Sequence, residues 1–187
     1  MVALEPQKRT IEVRLAGAVI SDEKIPLEFE LMNIDIELAK LGSITIVFTM
    51  ISVEAYIYDY AARHFTDSFV KKYIDKLDPI SKWVIVPKLV TGKELSRGGE
   101  WFKLLKDLVR ERNSIIHSKS SQPPSAAREA RKYLKVIEEE HHRVIHKARN
   151  AIKLLDALAT EIGNLDSEEA IWVESYLLKP STTLEEK

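Results

Sequence analysis

The chain of 187 residues carries 28 basic against 29 acidic side chains, no cysteine, and 45% hydrophobic residues. That length suits one domain, or one domain with an appendage, around a sizeable core, and the composition is neither disordered nor fibrous. A formal net charge of -1 excludes a generic basic coat for nucleic acid, and the missing cysteine excludes a disulfide framework, a thiolate zinc site and a cysteine nucleophile.

The opening MVALEPQKRT sets Glu5, Lys8 and Arg9 ahead of no apolar run, so no secretory signal is expected and the cytoplasm is the default location. Residues 10–15 (TIEVRL) and 25–31 (IPLEFEL) alternate apolar and polar around Gly17 and SDEK, which predicts two short strands as a β-hairpin. From about Asn33 to His64 the period becomes helical, with Gly42 its weak point. Within it, Leu41 to Tyr58 is the one stretch long enough to consider for a membrane. Ser43, Thr45, Thr49, Ser52 and Glu54 would be poorly served by lipid, so the reading is a helix buried in protein, with no membrane partner.

Thr66 is placed to cap a helix over 67–76, and Asp78-Pro79 reads as an N-cap followed by proline at the first helical position of a helix over 79–90. The Thr91-Gly92 stop and Arg97-Gly98-Gly99 bound a loop before a helix over about 100–118. From Ser125 to about Gly163 the apolar spacing is that of one long amphipathic helix, and a short helix is expected from Asp166 or Ser167 to about Leu178. The fold class is therefore all-α, an up-and-down helical bundle over 33–178, preceded by an extension over 1–32 holding the hairpin and followed by a flexible tail over 179–187.

Glycine-rich phosphate loops, nucleophile elbows and H-E-x-x-H are missing, which directs attention to the helix from Glu100 to Ser118. On a helical wheel Trp101, Leu104, Leu105, Leu108, Val109, Ile115 and Ile116 form one sector, and Arg112 falls inside it. A guanidinium there must be paired or face a cleft, since burying it alone costs several kcal/mol. His117 lies about 140° away, with Asn113 one turn before it, at a helix end whose dipole favours imidazolium. An arginine that holds a phosphate and a histidine that exchanges a proton suffice for cleavage of RNA by its own 2′-hydroxyl, and that chemistry needs neither metal nor cofactor.

Arg112-Asn113-Ser114-Ile115-Ile116-His117, read as R-N-x-x-x-H near the end of a helix, resembles the signature of the HEPN domain family, and Ser52-Val53-Glu54-Ala55-Tyr56-Ile57 resembles the S-x-E-A-[FY]-I segment of many members. The resemblance covers roughly residues 33 to 162. It implies a helical bundle that forms a homodimer, with the two motif helices meeting in a shared cleft, and a metal-independent endoribonuclease acting as a toxin or defence effector under an antitoxin or regulator protein. Carried over by position, Arg112 would bind the scissile phosphate, His117 would act as general base or acid, Asn113 would orient them, and Glu54 would support the motif. Toxins regulated by a small nucleotidyltransferase often carry tyrosine two residues after the histidine, whereas Lys119 stands here.

The competing reading is a non-catalytic helical dimer that binds a partner protein or nucleotide, with Arg112 paired to Glu54 for structure alone. Glu138, His142 and His146 share one helical row that could present ligands to zinc or nickel, but a solvated charged face accounts for them better. His141, on the apolar stripe, reads as a hydrogen-bonded core histidine. The near-neutral total also conceals polarity: residues 97 to 135 hold 10 basic and 4 acidic groups, net +6. This block contains Arg112 and continues through Lys119, Arg128, Arg131, Lys132 and Lys135, so RNA-binding roles are expected for Lys119, Arg128, Arg131 and Lys132.

Overall fold

The computed structural model describes residues 4–18, 21–117 and 127–169. Every regular element among them is helical: α1 (Leu4–Gly17), α2 (Ser21–His64), α3 (Asp67–Phe69, running into a π-helical turn over Val70–Ile74), α4 (Pro79–Thr91), α5 (Glu100–Ile116) and α6 (Ala127–Leu165). The chain divides into two compact units, one of residues 1–48 with 110–151 and the other of residues 49–109 with 152–187. The start of the last expected helix is seen at 167–169, and the expected tail lies outside the described residues.

The expected β-hairpin is not formed; residues 10–15 lie in α1 and 25–31 in α2. Seven alternating residues also fit two stripes on opposite sides of a helix. In α2, Leu27 and Leu38 are buried with Leu31 and Ile34 half-buried between them, while Ile25, Phe29 and Met32 face outward at 53%, 60% and 44% exposure. In α1, Ile11 is buried and Val13 exposed. Pro26 falls in the second turn of α2, early enough that the helix runs through it.

In the first unit, α1 is fastened by Ile11 and by ion pairs from Lys8 to Asp35 at 2.5 Å and from Arg149 to Glu5 at 2.6 Å. Helices α2 and α6 approach closely at Gly42, where an added Cβ would meet Val144 Cγ1 at 3.1 Å and the Val144 carbonyl oxygen at 3.4 Å. The glycine that weakens the helical pattern is thus the residue that lets the two backbones approach.

In the second unit, Trp83 is buried, stacked on Tyr56 with ring centroids 5.8 Å apart, and its indole N–H donates to the Val53 carbonyl at 3.3 Å. Asp78 accepts from the Ile80 and Ser81 amides at 3.0 and 3.1 Å, capping α4 as its sequence foretells. At its other end Gly92 takes φ 73°, a left-handed residue whose N–H returns to Lys88. Beyond α6, the buried Glu169 carboxylate accepts from Tyr56 at 2.8 Å and from both terminal nitrogens of Arg63, and Asp166 accepts from Tyr60 at 2.9 Å.

Among the described residues one stretch, Glu23–His64, is long and apolar enough to cross a membrane by length and composition alone, a property shared by core helices of proteins in water. Two of its hydroxyls bond within the helix, Ser43 donating to the Ala39 carbonyl at 3.1 Å and Thr45 to that of Leu41 at 2.8 Å.

Candidate functional site

The motif helix α5 is fixed at its start by Trp101, which is 1% exposed and donates its indole N–H to the Ser96 carbonyl at 2.8 Å. Gly99 makes that docking possible, because a Cβ there would lie 2.8 Å from Trp101 Cδ1. From this anchor Trp101, Leu104, Leu105 and Leu108 turn inward in sequence, each buried.

The next inward position is Glu111. The wheel sets Arg112 inside the apolar sector, yet Glu111 is the charge buried there, at 2% exposure, and Arg112 is half-buried. The reason is electrostatic. Arg143 on α6 meets the Glu111 carboxylate in the first unit and also binds Glu140 one turn before it, so the buried acid is compensated. The hydrogen bond to Glu140, aided by the Glu111 charge, raises the Arg143 guanidinium above its ordinary value. The composition of the α5 sector contains the signal for this pair: Glu111 lies about 60° from Leu108 on the wheel, on the side of Leu104.

With Glu111 turned inward, Arg112 lies at the edge of the buried face, and its Nη1 donates to Asn113 Oδ1 at 2.9 Å. Asn113 is exposed. The Asn113 carbonyl accepts the His117 amide at 3.0 Å, which carries the last helical turn just past Ile116 and leaves the imidazole exposed. Arg112 and Asn113 are therefore joined directly, and His117 follows one turn later on the same backbone. Glu54 is half-buried on the part of α2 in the second unit, whereas Arg112, Asn113 and His117 belong to the first.

Among the expected RNA-binding residues, Lys132 is exposed on α6. Arg128 and Arg131 belong to the opening turns of α6, and Lys119 lies outside the described residues. Glu138, His142 and His146 are exposed, His141 is half-buried, and no group of three metal-ligating side chains is assembled among the described residues.

Comparison with protein-family models, with curated proteins and with solved structures gives no match to this chain.

Proposed function

We propose that the protein is a metal-independent endoribonuclease of HEPN type, acting as a homodimer in the cytoplasm under the control of a regulator or antitoxin protein. The observation that carries this reading is the joined pair of Arg112 and Asn113, one turn before an exposed His117, at the end of a helix whose phase is set by the buried Glu111 paired with Arg143. Arg112 holds the scissile phosphate, with Asn113 fixing the direction of its guanidinium. His117 removes the proton from the 2′-hydroxyl or returns one to the departing 5′-oxygen. The new bond joins the 2′-oxygen to phosphorus, the bond from phosphorus to the 5′-oxygen breaks, and the products are a 2′,3′-cyclic phosphate and a 5′-hydroxyl. Lys119, Arg128, Arg131 and Lys132 attract the phosphate chain.

One imidazole serves only one of the two proton transfers at a time, which favours two copies of the motif. The outward apolar side chains of α2 in the first unit, among them Phe29 and Phe48 at 60% and 64% exposure, offer a face for such association. The same face favours a second reading, a non-catalytic helical module that binds a partner protein.

Wild-type protein freed of contaminating nuclease should cleave single-stranded RNA in the presence of a chelator. Arg112→Ala and His117→Ala should each reduce the rate at least about a hundredfold, with helicity and solution mass unchanged. Intact RNA after prolonged incubation, with and without divalent ions, would sink the catalytic reading and leave the binding module.

A further inference from the structure

The second unit carries a surface that the motif does not use. Thr66 caps α3 by accepting the Phe69 amide at 3.2 Å, and the chain passes at once into the π-helical turn, closed by the Asp75 amide on the Val70 carbonyl at 2.9 Å. Val70 and Ile74 face inward at 0% and 4% exposure. That face satisfies the packing needs of so short a helix, yet the outer side bears three aromatic rings. Phe65 is half-buried, Phe69 is 39% exposed and Tyr73 54% exposed. The ring centroids of Phe65 and Phe69 are 5.3 Å apart, and those of Phe69 and Tyr73 5.0 Å apart.

The surrounding charge is positive. Lys72 Nζ lies 5.0 Å from the Tyr73 centroid, and Lys71, Lys72 and Lys76 are all exposed. The two acids of the segment are engaged by other lysines, Asp67 by Lys71 at 2.7 Å and Asp75 by Lys82 at 3.1 Å. Lys72 therefore sets the charge beside the rings, and Lys76 adds an exposed cation three residues after Tyr73. This surface differs in kind from the outer stripe of α2, where Ile44 and Phe48 sit in a run without charge from Leu41 to Val53. An apolar, uncharged face suits another protein; rings with cations beside them suit stacked bases on a phosphate chain.

We infer that Phe65, Phe69 and Tyr73, with Lys72 and Lys76, form a sequence-tolerant binding surface for single-stranded RNA. Bases stack on the exposed ring faces while the lysines contact the backbone phosphates. The choice of RNA as occupant rests on the ribonuclease reading, but the surface operates without the reaction, so binding and cleavage can be scored apart.

The test uses the full chain carrying His117→Ala and a fluorescein-labelled single-stranded RNA of about 12 nucleotides, within the site sizes of such surfaces, followed by anisotropy across a salt series. Phe69→Ala and Tyr73→Ala should each weaken binding about tenfold, or about 1.4 kcal/mol, while Tyr73→Phe keeps it. Lys72→Ala should reduce the slope of log affinity against log salt by about 0.7. A ribose-phosphate chain without bases should compete poorly. Alanine variants that bind within about twofold of their parent, or an abasic chain that competes fully, would overturn the inference. As a check on variants that fold poorly, Phe69→Trp should show quenched indole emission when RNA is added, and unquenched emission overturns it too. Should Phe69→Ala instead dissolve a self-associated species with RNA affinity unchanged, the patch is a protein contact and the inference fails. Binding without cleavage by the wild type would remove the ribonuclease reading alone; cleavage with unaffected patch variants would remove only this surface.

Discussion

The two units differ in how many large side chains each one buries. Of the largest fully buried side chains, Trp83, Trp101, Tyr60, Met50, Ile57, Leu105, Leu154 and Ile162 belong to the second unit, and Leu38 and Ile46 to the first. The first has fewer such side chains and carries three ion pairs between helices, Lys8 with Asp35, Glu5 with Arg149, and Glu111 with Arg143, where the second has Arg63 with Glu169. Burying large rings contributes kcal/mol per side chain, whereas an exposed ion pair such as Glu5 with Arg149 contributes at most about 1 kcal/mol. The motif thus lies at the end of a helix that begins in the heavily packed unit and finishes in the lightly packed one. A site that must admit a substrate is better placed where the surrounding packing is weaker.

The largest expected effect breaks the heavier side of this contrast. Trp83→Ala should remove about 3 to 5 kcal/mol, read as a lower midpoint in urea, because it deletes both the stack on Tyr56 and a buried indole hydrogen bond. A loss below about 1 kcal/mol would mean that the second unit is not the more strongly cored. Next comes a first-unit pair with a buried member, Glu111 with Arg143. Glu111→Ala should cost about 1 to 2 kcal/mol, the lower part of the range for buried pairs, since the Arg143 side chain is 38% exposed and keeps Glu140 as partner. The same substitution should slow RNA cleavage by loosening the phase of Arg112, and Glu111→Gln should recover part of both losses.

The sequence disclosed caps and stops more faithfully than faces. Asp78-Pro79, Thr66 and Gly92 act through local hydrogen bonds and backbone angles, so their roles are written in adjacent residues. The hairpin expectation failed because alternation over seven residues does not distinguish a strand from a helix exposed on one side, and the outward Ile25 and Phe29 supplied the misleading half of the pattern. Of the candidate site, the sequence offered Arg112, Asn113 and His117 as a spacing on one helix. Which charge the helix would bury was not legible, because an ideal wheel weighs Glu111 and Arg112 by their own neighbours, whereas the choice is made by Arg143 from another helix. The Glu169 network escaped for a similar reason: its partners are more than a hundred residues apart in sequence.

A smaller effect separates the units by pH. Burial first, and then the acceptor carboxylates of Glu169 and Asp166, push the Tyr56 and Tyr60 phenols above their ordinary value. The native state then keeps protons that the unfolded chain gives up above about pH 10. The resulting stabilisation is complete below that pH and declines as pH rises, by up to about 1.4 kcal/mol per pH unit for each phenol. Tyr56→Phe should make the alkaline decline shallower, as measured by urea midpoints on either side of pH 10. An unchanged slope would show that this phenol does not contribute.

The smallest effect compares two ion pairs that fasten the same helix, α1. Glu5 and Arg149 are 44% and 53% exposed, and Lys8 and Asp35 only 18% and 15%. Water and salt reach the first pair freely, so Arg149→Ala should cost about 0.5 kcal/mol or less and nothing measurable near 1 M salt. The Lys8 pair should persist in salt and give the larger coupling in a double-mutant cycle with Asp35. Acid acts on the Glu5 pair with a definite sign: the hydrogen bond from Arg149 holds the Glu5 carboxyl below its ordinary value. Its contribution is therefore present above the unfolded carboxylate value and lost as pH falls through the folded one. Amide exchange in α1 should rise on acidification more than in α4, whose Asp78 cap is also held low but which packs Trp83 and Val86 beneath it. Equal rises in both helices would show that ion pairs and ring packing hold their elements equally well, and the contrast between the two units would then lose its energetic meaning.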